Sequence, residues 1–223
     1  GRTTLSSATM SPTSPLATRL HNQMILAPLT RGGNLPYRRL CADFGCDASF
    51  SEMTYARNLL KNEGIELARM RRAPGETTFG VQIATNEIEE GVAAAKMAAA
   101  SGADWVDLNC GCPIYEATRR GLGAALLRKP HKLEQLVAGI AAGSSLPLSV
   151  KVRTGEFRNA LNVRDVASRL RCCGLAPDDS AIVGLALCVR GMDASVTCRV
   201  CHVKHPAANL VALKATYENE GCI

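Results

Sequence analysis

The chain has 223 residues, of which 47% are hydrophobic and 21% are charged, as in an ordinary globular protein of one or two domains. Its net charge of +6 is compatible with a polyanionic partner, whereas an aromatic content of 4% argues against a base-stacking surface spread along the chain. No apolar run reaches the roughly 18 residues that a membrane-spanning helix needs, so we expect no membrane segment.

The amino-terminal segment is acid-free and rich in hydroxyl groups. Asp43 is the first acidic residue, and residues 1–20 hold nine Ser or Thr and two Arg. Two interpretations are open for residues 1–22, a disordered linker or an organelle transit segment. We therefore expect a cytoplasmic protein, with an organelle as the alternative. The chain begins with Gly1 rather than Met, so we expect its natural start to lie further upstream.

From residue 23 onward, short apolar runs alternate with helix-like segments. The predicted strands cover residues 23–27, 48–51, 78–83, 105–109 and 148–152. The predicted helices cover residues 35–44, 54–70, 86–100, 121–127, 131–142 and 160–171. Gly45 is the predicted C-terminal cap of the first helix, and Asn86 is the predicted N-cap of the third. Repeated strand-helix units indicate parallel strands joined by crossover helices.

Three chemically useful side chains lie in or just after the predicted strands. Cys112 follows the strand that ends at Asn109, where a Gly-Cys-Pro turn begins. Gln82 lies inside the strand 78–83, and Lys151 lies near the end of the strand 148–152. Taken singly, each could be a structural residue: a buried thiol, a satisfied core amide or a lysine that extends to solvent. Together they favour one shared cavity, because barrel enzymes carry their chemistry at the carboxyl ends of the strands.

The last part of the chain has a different character. Residues 156–223 hold six of the ten cysteines, and a sixth strand fits residues 181–189 only without clear turn signals at its borders. The stretch from Cys198 to His202 has the spacing of a covalent haem attachment site, and together with His205 it offers four potential zinc ligands. Such short matches arise by chance in a cysteine-rich segment, so we expect no metal site.

Five motifs, in order and with matching spacing over about residues 23–155, resemble those of the tRNA-dihydrouridine synthases. They are Leu26-Ala27-Pro28-Leu29, the stretch from Asn34 to Cys41, Gly80-Val81-Gln82, the stretch from Asp107 to Ile114, and the stretch from Val150 to Gly155. The Ala-Pro-Leu-Thr start and the Gly-Cys-Pro-Ile sequence look most like the eukaryotic branch that acts on tRNA position 47.

This resemblance implies an α/β fold, namely an FMN-binding TIM (β/α)8 barrel. It also implies that uridine in tRNA is reduced to 5,6-dihydrouridine, with NADPH as the reductant and FMN as the source of hydride. The implied roles are the proton donor for Cys112, flavin binding for Ala27, Pro28, Leu29, Gln82 and Lys151, and flavin or substrate contacts for Asn109 and Arg153. Cys110 would add a second thiol near the site.

The later motifs of the family are not found after residue 155. We therefore expect only the amino-terminal portion of the barrel, about five βα units, truncated after the fifth strand and with exposed sheet edges. Residues 23–171 would form this partial flavin domain, and residues 172–223 would be a divergent cysteine-rich tail. Two alternatives stay open: an FMN-barrel reductase of a free pyrimidine, and a catalytically inactive fragment.

Overall fold

The computed structural model describes residues 15–20, 23–157, 161–172 and 181–185. The strands are β1 (Ile25–Leu26), β2 (Ala48–Phe50), β3 (Thr54–Tyr55), β4 (Thr78–Ala84), β5 (Trp105–Cys110), β6 (Leu148–Val152) and β7 (Ala181–Leu185). The α-helices are α1 (Pro15–Leu20), α2 (Leu35–Asp43), α3 (Ala56–Leu59), α4 (Gly64–Arg69), α5 (Ile88–Ala100), α6 (Tyr115–Thr118), α7 (Pro130–Gly143) and α8 (Val163–Cys172), and a 3-10 helix covers Gly123–Arg128.

All the strands belong to one parallel sheet. Its order is β1-β2-β4-β5-β6-β7, and β3 pairs with β4 beyond the end of β2. Neighbouring strands follow one another along the chain with helices between them, which is the wall of a (β/α) barrel. The predicted fold class is thereby confirmed for this part of a barrel. The tentative sixth strand is also present, because β7 pairs with β6 from Leu148↔Ala181 to Val152↔Leu185.

Of the two predicted helix caps, the C-terminal cap of the first predicted helix is confirmed and the N-cap of the third is not. Helix α2 is capped by Asn34, whose Oδ1 accepts a hydrogen bond from the Tyr37 N–H at 3.1 Å. Gly45 follows the helix with φ 89°, a left-handed conformation that glycine adopts without strain. The N-cap prediction for Asn86 was wrong. Its amide donates to the Arg120 carbonyl instead, while Thr85 Oγ1 accepts from the Glu87 N–H, and Glu87 is the N-cap residue of α5.

Helix α1 lies within the segment that the sequence predicted to be a linker or a transit peptide. Leu16 and Leu20, four residues apart on one helix face, are buried in a cluster with Trp105. Arg19 adds an ion pair of 3.2 Å with Asp104. Gly80 allows the indole of Trp105 to lie against β4, because a Cβ at this position would overlap the ring. Residues 15–20 are therefore packed onto the amino-terminal end of the barrel.

The two faces of the sheet have different chemistry. Alternate side chains of β4, β5 and β6 pack against the helices in one hydrophobic core, to which Val81, Ile83, Val106, Leu108, Val150, Ala94, Leu133, Val137 and Ile140 belong. The intervening side chains point to the barrel interior, since side chains alternate along a strand. Several of these are buried polar residues, including Gln82, Asp107, Asn109 and Ser149. The barrel wall thus carries an apolar outer face and a polar inner face.

Some sequence predictions lie outside the described residues. The stretch from Cys198 to His205 is among them, so its metal-binding potential stays untested. Within the ranges that the structure describes, no three His, Cys, Asp or Glu side chains are grouped as they would be around a metal ion. None of the helices in those ranges is long and apolar enough to cross a membrane.

Candidate functional site

A bulge between β2 and β3 shapes one side of the candidate site. Phe50 of β2 pairs with Gly80, and Thr54 of β3 pairs with Ile83. The three residues between β2 and β3 therefore lie opposite only two residues of β4. In this bulge Ser51 Oγ accepts a hydrogen bond of 2.9 Å from the Gln82 N–H. Extra residues of this kind occur preferentially beside active sites, where they redirect a side chain or interrupt pairing.

A chain of hydrogen bonds crosses the inner face of the sheet. Gln82 Nε2 donates to Asp107 Oδ2 at 2.7 Å, and Gln82 Oε1 accepts from Asn109 Nδ2 at 2.7 Å. Ser149 Oγ donates to Asp107 Oδ1 at 2.5 Å. The exposed fractions of Gln82 and Asp107 are 1% each and that of Asn109 is 7%, so these polar groups are removed from water and satisfied by one another. We call Ser149, Asp107, Gln82 and Asn109 the inner polar chain.

The inner polar chain reaches the loop that carries Cys112. Asn109 Oδ1 accepts hydrogen bonds from the N–H groups of Gly111 at 3.1 Å and Cys112 at 2.9 Å. The Cys112 carbonyl in turn accepts from the Ala124 N–H at 2.9 Å. Gly123 has φ 61° and lies so close to Cys112 that a Cβ would collide with its carbonyl. The half-buried thiol is therefore held by backbone contacts on two sides.

Lys151 lies beside this group. It is in register with Asn109 on the neighbouring strand and is half-buried. Among the described residues, no side chain or carbonyl forms a hydrogen bond or ion pair with its ammonium group. Its positive charge favours the ionised form of Asp107. The geometry thus brings Gln82, Asn109 and Cys112 into one hydrogen-bonded group and places Lys151 next to them.

The remaining predicted residues lie at the same edge of the sheet but outside this group. Ala27, Pro28 and Leu29 follow β1, and the Leu29 carbonyl accepts from the N–H groups of Gly32 at 3.1 Å and Gly33 at 2.8 Å. Within the described ranges, no hydrogen bond joins residues 27–29 to the inner polar chain. Arg153 follows β6 and is half-buried. These four positions stay predictions.

Cys110 is separated from the site although it is only two residues from Cys112. Its side chain belongs to the apolar outer face of the sheet and is fully buried in the hydrophobic core. Burial raises the pKa of this thiol well above its usual range, and the nearby Asp107 carboxylate adds to the shift. The two thiols therefore lie in different surroundings: Cys110 in the core between sheet and helices, and Cys112 against Ala84, Ala117 and Leu122 beyond the strand end.

Asp107 is the residue that sequence reasoning missed. Burial raises the pKa of its carboxyl from 3.8 to about 6, against the hydrogen bonds from Ser149 and Gln82 and the charge of Lys151. The signal that could have revealed it is the two-residue spacing to Asn109, because residues two apart on a strand share a face. An acid there had to lie in the interior beside the predicted amide.

The raised pKa of Asp107 has a consequence for stability. Between pH about 4 and 6 the folded state binds a proton that the unfolded state has released, so this group lowers the stability as pH rises and adds no further slope above about pH 6. We expect Asp107→Asn to remove this slope. From about pH 4 to pH 6, the free energy of unfolding of the wild-type protein should fall by about 3 kcal/mol relative to that of the variant. This figure follows from about 1.36 kcal/mol per pKa unit. Urea unfolding of both proteins at several pH values measures the difference, and a pH-independent difference would contradict it.

Comparison with known proteins gives a consistent result. The family profile described as dihydrouridine synthase (Dus) matches residues 25–177. The chain is 40% identical over 149 residues to the tRNA-dihydrouridine(47) synthase of Coprinopsis cinerea, a match covering 65% of this chain and 22% of the relative. It is 43% identical over 136 residues to the protein of the same name from Malassezia globosa, covering 59% of this chain and 18% of the relative.

A mammalian protein matches in the same way. The tRNA-dihydrouridine(47) synthase-like protein of Mus musculus is 36% identical over 158 residues, covering 70% of this chain and 25% of its own length. The chain thus spans between 18% and 25% of the length of these relatives. The names of all three include NAD(P)(+). The resemblance drawn from the sequence motifs is confirmed for the family and for this branch of it: the chain belongs to the dihydrouridine synthase family.

Proposed function

We propose that this protein takes part in the reduction of uridine to 5,6-dihydrouridine in tRNA. The observation that carries the proposal is the Cys112 thiol, which is held at the carboxyl end of a barrel strand by the same hydrogen-bonded group that contains Gln82 and Asn109. Membership of the family and the names of the relatives support the same reaction class. The coenzyme in those names suggests a nicotinamide as the source of electrons.

We further propose FMN as the cofactor, and the inner face fits it in two respects. Lys151 presents an ammonium group that forms no hydrogen bond or ion pair among the described residues, as needed beside the anionic edge of a reduced flavin. Gln82 uses one of its two amide hydrogens on Asp107, which leaves the second for a ring atom. When bound, the flavin would supply hydride to the pyrimidine. Lys151 is the only lysine or arginine in the described strands.

Cys112 would supply the proton. Saturation of the uracil 5,6-double bond requires a hydride at one carbon and a proton at the other, and a thiol is a competent general acid. Tyr55 lies next to Cys112, where burial raises the pKa of the phenol and the adjacent thiol adds to the shift. On its other side the half-buried thiol packs against the apolar cluster of Met53, Ala84, Ala117 and Leu122.

A cleft of about 360 Å³ adjoins the surroundings of the thiol, since Tyr55, Ala84 and Leu122 belong to both, and it supports RNA as the substrate. It lies between the ends of β3 and β4 and the loop after α6. Its lining includes the cations Arg57, Lys61 and Arg120 and the acids Glu87 and Glu90. Glu90 pairs with Arg57 at 3.0 Å, which leaves Lys61 and Arg120 as the cations outside that pair. The Arg120 guanidinium lies 5.4 Å from the centre of the Tyr55 ring. Since a target base must leave its stack to be reduced, the neighbouring nucleotides need such cationic and aromatic contacts.

Removal of the cleft cations should weaken tRNA binding. We expect Lys61→Ala and Arg120→Ala each to lower the affinity for unmodified tRNA and to reduce the slope of log K against log salt by about one, since each cation would neutralise one phosphate. Lys96→Ala is the matched control, because Lys96 is exposed on α5 away from the cleft. Filter binding at several salt concentrations measures both quantities. Equal slopes for all four proteins would exclude the cleft from the RNA interface.

The experiment that tests the function compares two substrates. The purified protein with FMN and NADPH is incubated with unmodified tRNA or with free uracil, and the products are analysed by mass spectrometry for a gain of two hydrogens. We expect dihydrouridine in the tRNA and no product from uracil. Reduction of uracil alone would favour the pyrimidine-reductase alternative, and no product from either substrate would favour the inactive-fragment alternative.

A further inference from the structure

We propose that Asp107 is a positioning residue that sets the orientation of both amide side chains of the inner polar chain and, through them, of the Cys112 loop. Only the purpose of this positioning, which is proton donation by Cys112, rests on the proposed function. Asp107 opens the motif from Asp107 to Ile114, but the resemblance implied no role for it. Its place is inside the barrel, in register with Gln82 on one side and Ser149 on the other.

The hydrogen bonds of the inner polar chain all run in one direction. Cys112 N–H donates to Asn109 Oδ1, Asn109 Nδ2 donates to Gln82 Oε1, and Gln82 Nε2 donates to Asp107 Oδ2. Each amide can be turned by half a rotation, which exchanges its oxygen and nitrogen. The order is fixed from both ends, because an ionised carboxylate only accepts and a backbone N–H only donates. Asp107 sets the direction from the inner end, and without it Gln82 Nε2 has no acceptor.

The consequence for the loop follows from the outer end of the chain. If Asn109 turned its Nδ2 toward the loop, two N–H groups, those of Gly111 and Cys112, would face a donor instead of an acceptor. Buried or half-buried donors without a partner are unfavourable, so the loop would leave its position. The thiol would then lose the place that its backbone contacts give it. Asp107 acts on Cys112 through two intervening side chains and without touching it.

The neighbouring serine makes a specific prediction about conservative substitution. In Asp107→Asn, the new Oδ1 can accept from Gln82 while the new Nδ2 donates to Ser149 Oγ, since a hydroxyl both donates and accepts. The order of the chain is preserved. In Asp107→Leu, whose side chain is branched at the same position but carries no polar atom, no acceptor remains for Gln82 Nε2. Asn should therefore preserve the loop and Leu should release it.

The test measures the alkylation rate of Cys112 with iodoacetamide in the full chain, by peptide mass spectrometry. Cys110 lies two residues away and is fully buried, so its modification reports global unfolding in the same peptide. We expect Cys112 to react about tenfold faster in Asp107→Leu, with Cys110 still protected, and at the wild-type rate in Asp107→Asn. Wild-type rates in a folded Asp107→Leu, or equal acceleration in both variants, would overturn the proposal.

A matched control separates positioning from loss of stability. Glu76 is another buried carboxylate, and it accepts hydrogen bonds from Arg38, Ser49 and the Ala73 N–H near the amino-terminal end of β4. Glu76→Gln should destabilise the fold and leave the Cys112 alkylation rate unchanged; a Cys112 rate raised as much as in Asp107→Leu would contradict the proposal.

A second variant keeps the test decisive if Asp107→Leu does not fold. Gln82→Met breaks the chain one link closer to the loop, and we expect the same acceleration of Cys112 alkylation. An unchanged rate there would also overturn the proposal. The two proposals fail separately: if the wild-type protein forms no dihydrouridine but the alkylation pattern holds, the function is wrong and the positioning role stands.

Discussion

Cys112→Ala is expected to lower the rate of dihydrouridine formation by about 10²- to 10⁴-fold, the usual contribution of a positioned general acid. The variant should fold and bind flavin normally, because the Cys112 contacts that order the loop are made by its backbone N–H and carbonyl. Reduction of the flavin by NADPH should also be unaffected, since that step needs no proton from the thiol. The measurement is single-turnover formation of dihydrouridine in unmodified tRNA.

Cys110→Ala provides the matched control. It removes a thiol two residues away that faces the hydrophobic core instead of the barrel interior. We expect this variant to lose stability, by about 1 kcal/mol for a small cavity, and to keep its rate of tRNA reduction. Equal rates for Cys112→Ala and the wild-type protein would remove Cys112 from the mechanism. An equally large loss in Cys110→Ala would show that the strand, and not the thiol, is at fault.

Lys151→Ala is expected to weaken FMN binding by about 10- to 100-fold, or to slow reduction of the flavin by a similar factor. The reason is the loss of a charged hydrogen bond of about 1.5 to 3 kcal/mol to the edge of the cofactor. Among the described residues the half-buried lysine has no hydrogen-bond or ion-pair partner and acts on Asp107 only through its charge, so little folding energy depends on it. Fluorescence titration with FMN gives the affinity, and stopped-flow absorbance with NADPH gives the reduction rate.

The comparison variant for this prediction is Lys96→Ala, which removes a cation from the solvent-exposed side of α5. It should bind FMN as the wild-type protein does. Unchanged affinity together with unchanged reduction in Lys151→Ala would place the cofactor elsewhere. An increase in affinity would indicate that the lysine competes with the cofactor for space.

Much of the barrel wall follows from hydrophobic patterning. The five predicted strands all form, because runs such as 78–83 and 105–109 are buried on both faces and bounded by turn residues. Helix α1 was missed because its two leucines lie in a sequence whose hydroxyl content resembles a linker. Strand β7 was predicted only tentatively because its identity comes from pairing with β6, a tertiary contact that local punctuation does not encode.

The site could be predicted in part from local sequence. The Cys112 turn and the amides Gln82 and Asn109 were recognisable from their places at the strand ends and from family motifs. Their hydrogen bonds were not, because the partners come from different strands. Asp107 was overlooked as a functional residue because its importance lies in register with Gln82 and Ser149, which is a property of the folded sheet.

Anaerobic single turnover without NADPH tests whether the bound flavin and Cys112 together reduce uridine in tRNA. The protein is loaded with FMN, reduced chemically, freed of reductant and mixed with unmodified tRNA, and dihydrouridine is counted by nucleoside mass spectrometry. We expect about one dihydrouridine per bound flavin in the wild-type protein and almost none in Cys112→Ala on the same time scale. A loaded and reduced wild-type protein that forms no dihydrouridine, yet is reoxidised by oxygen, would contradict this expectation.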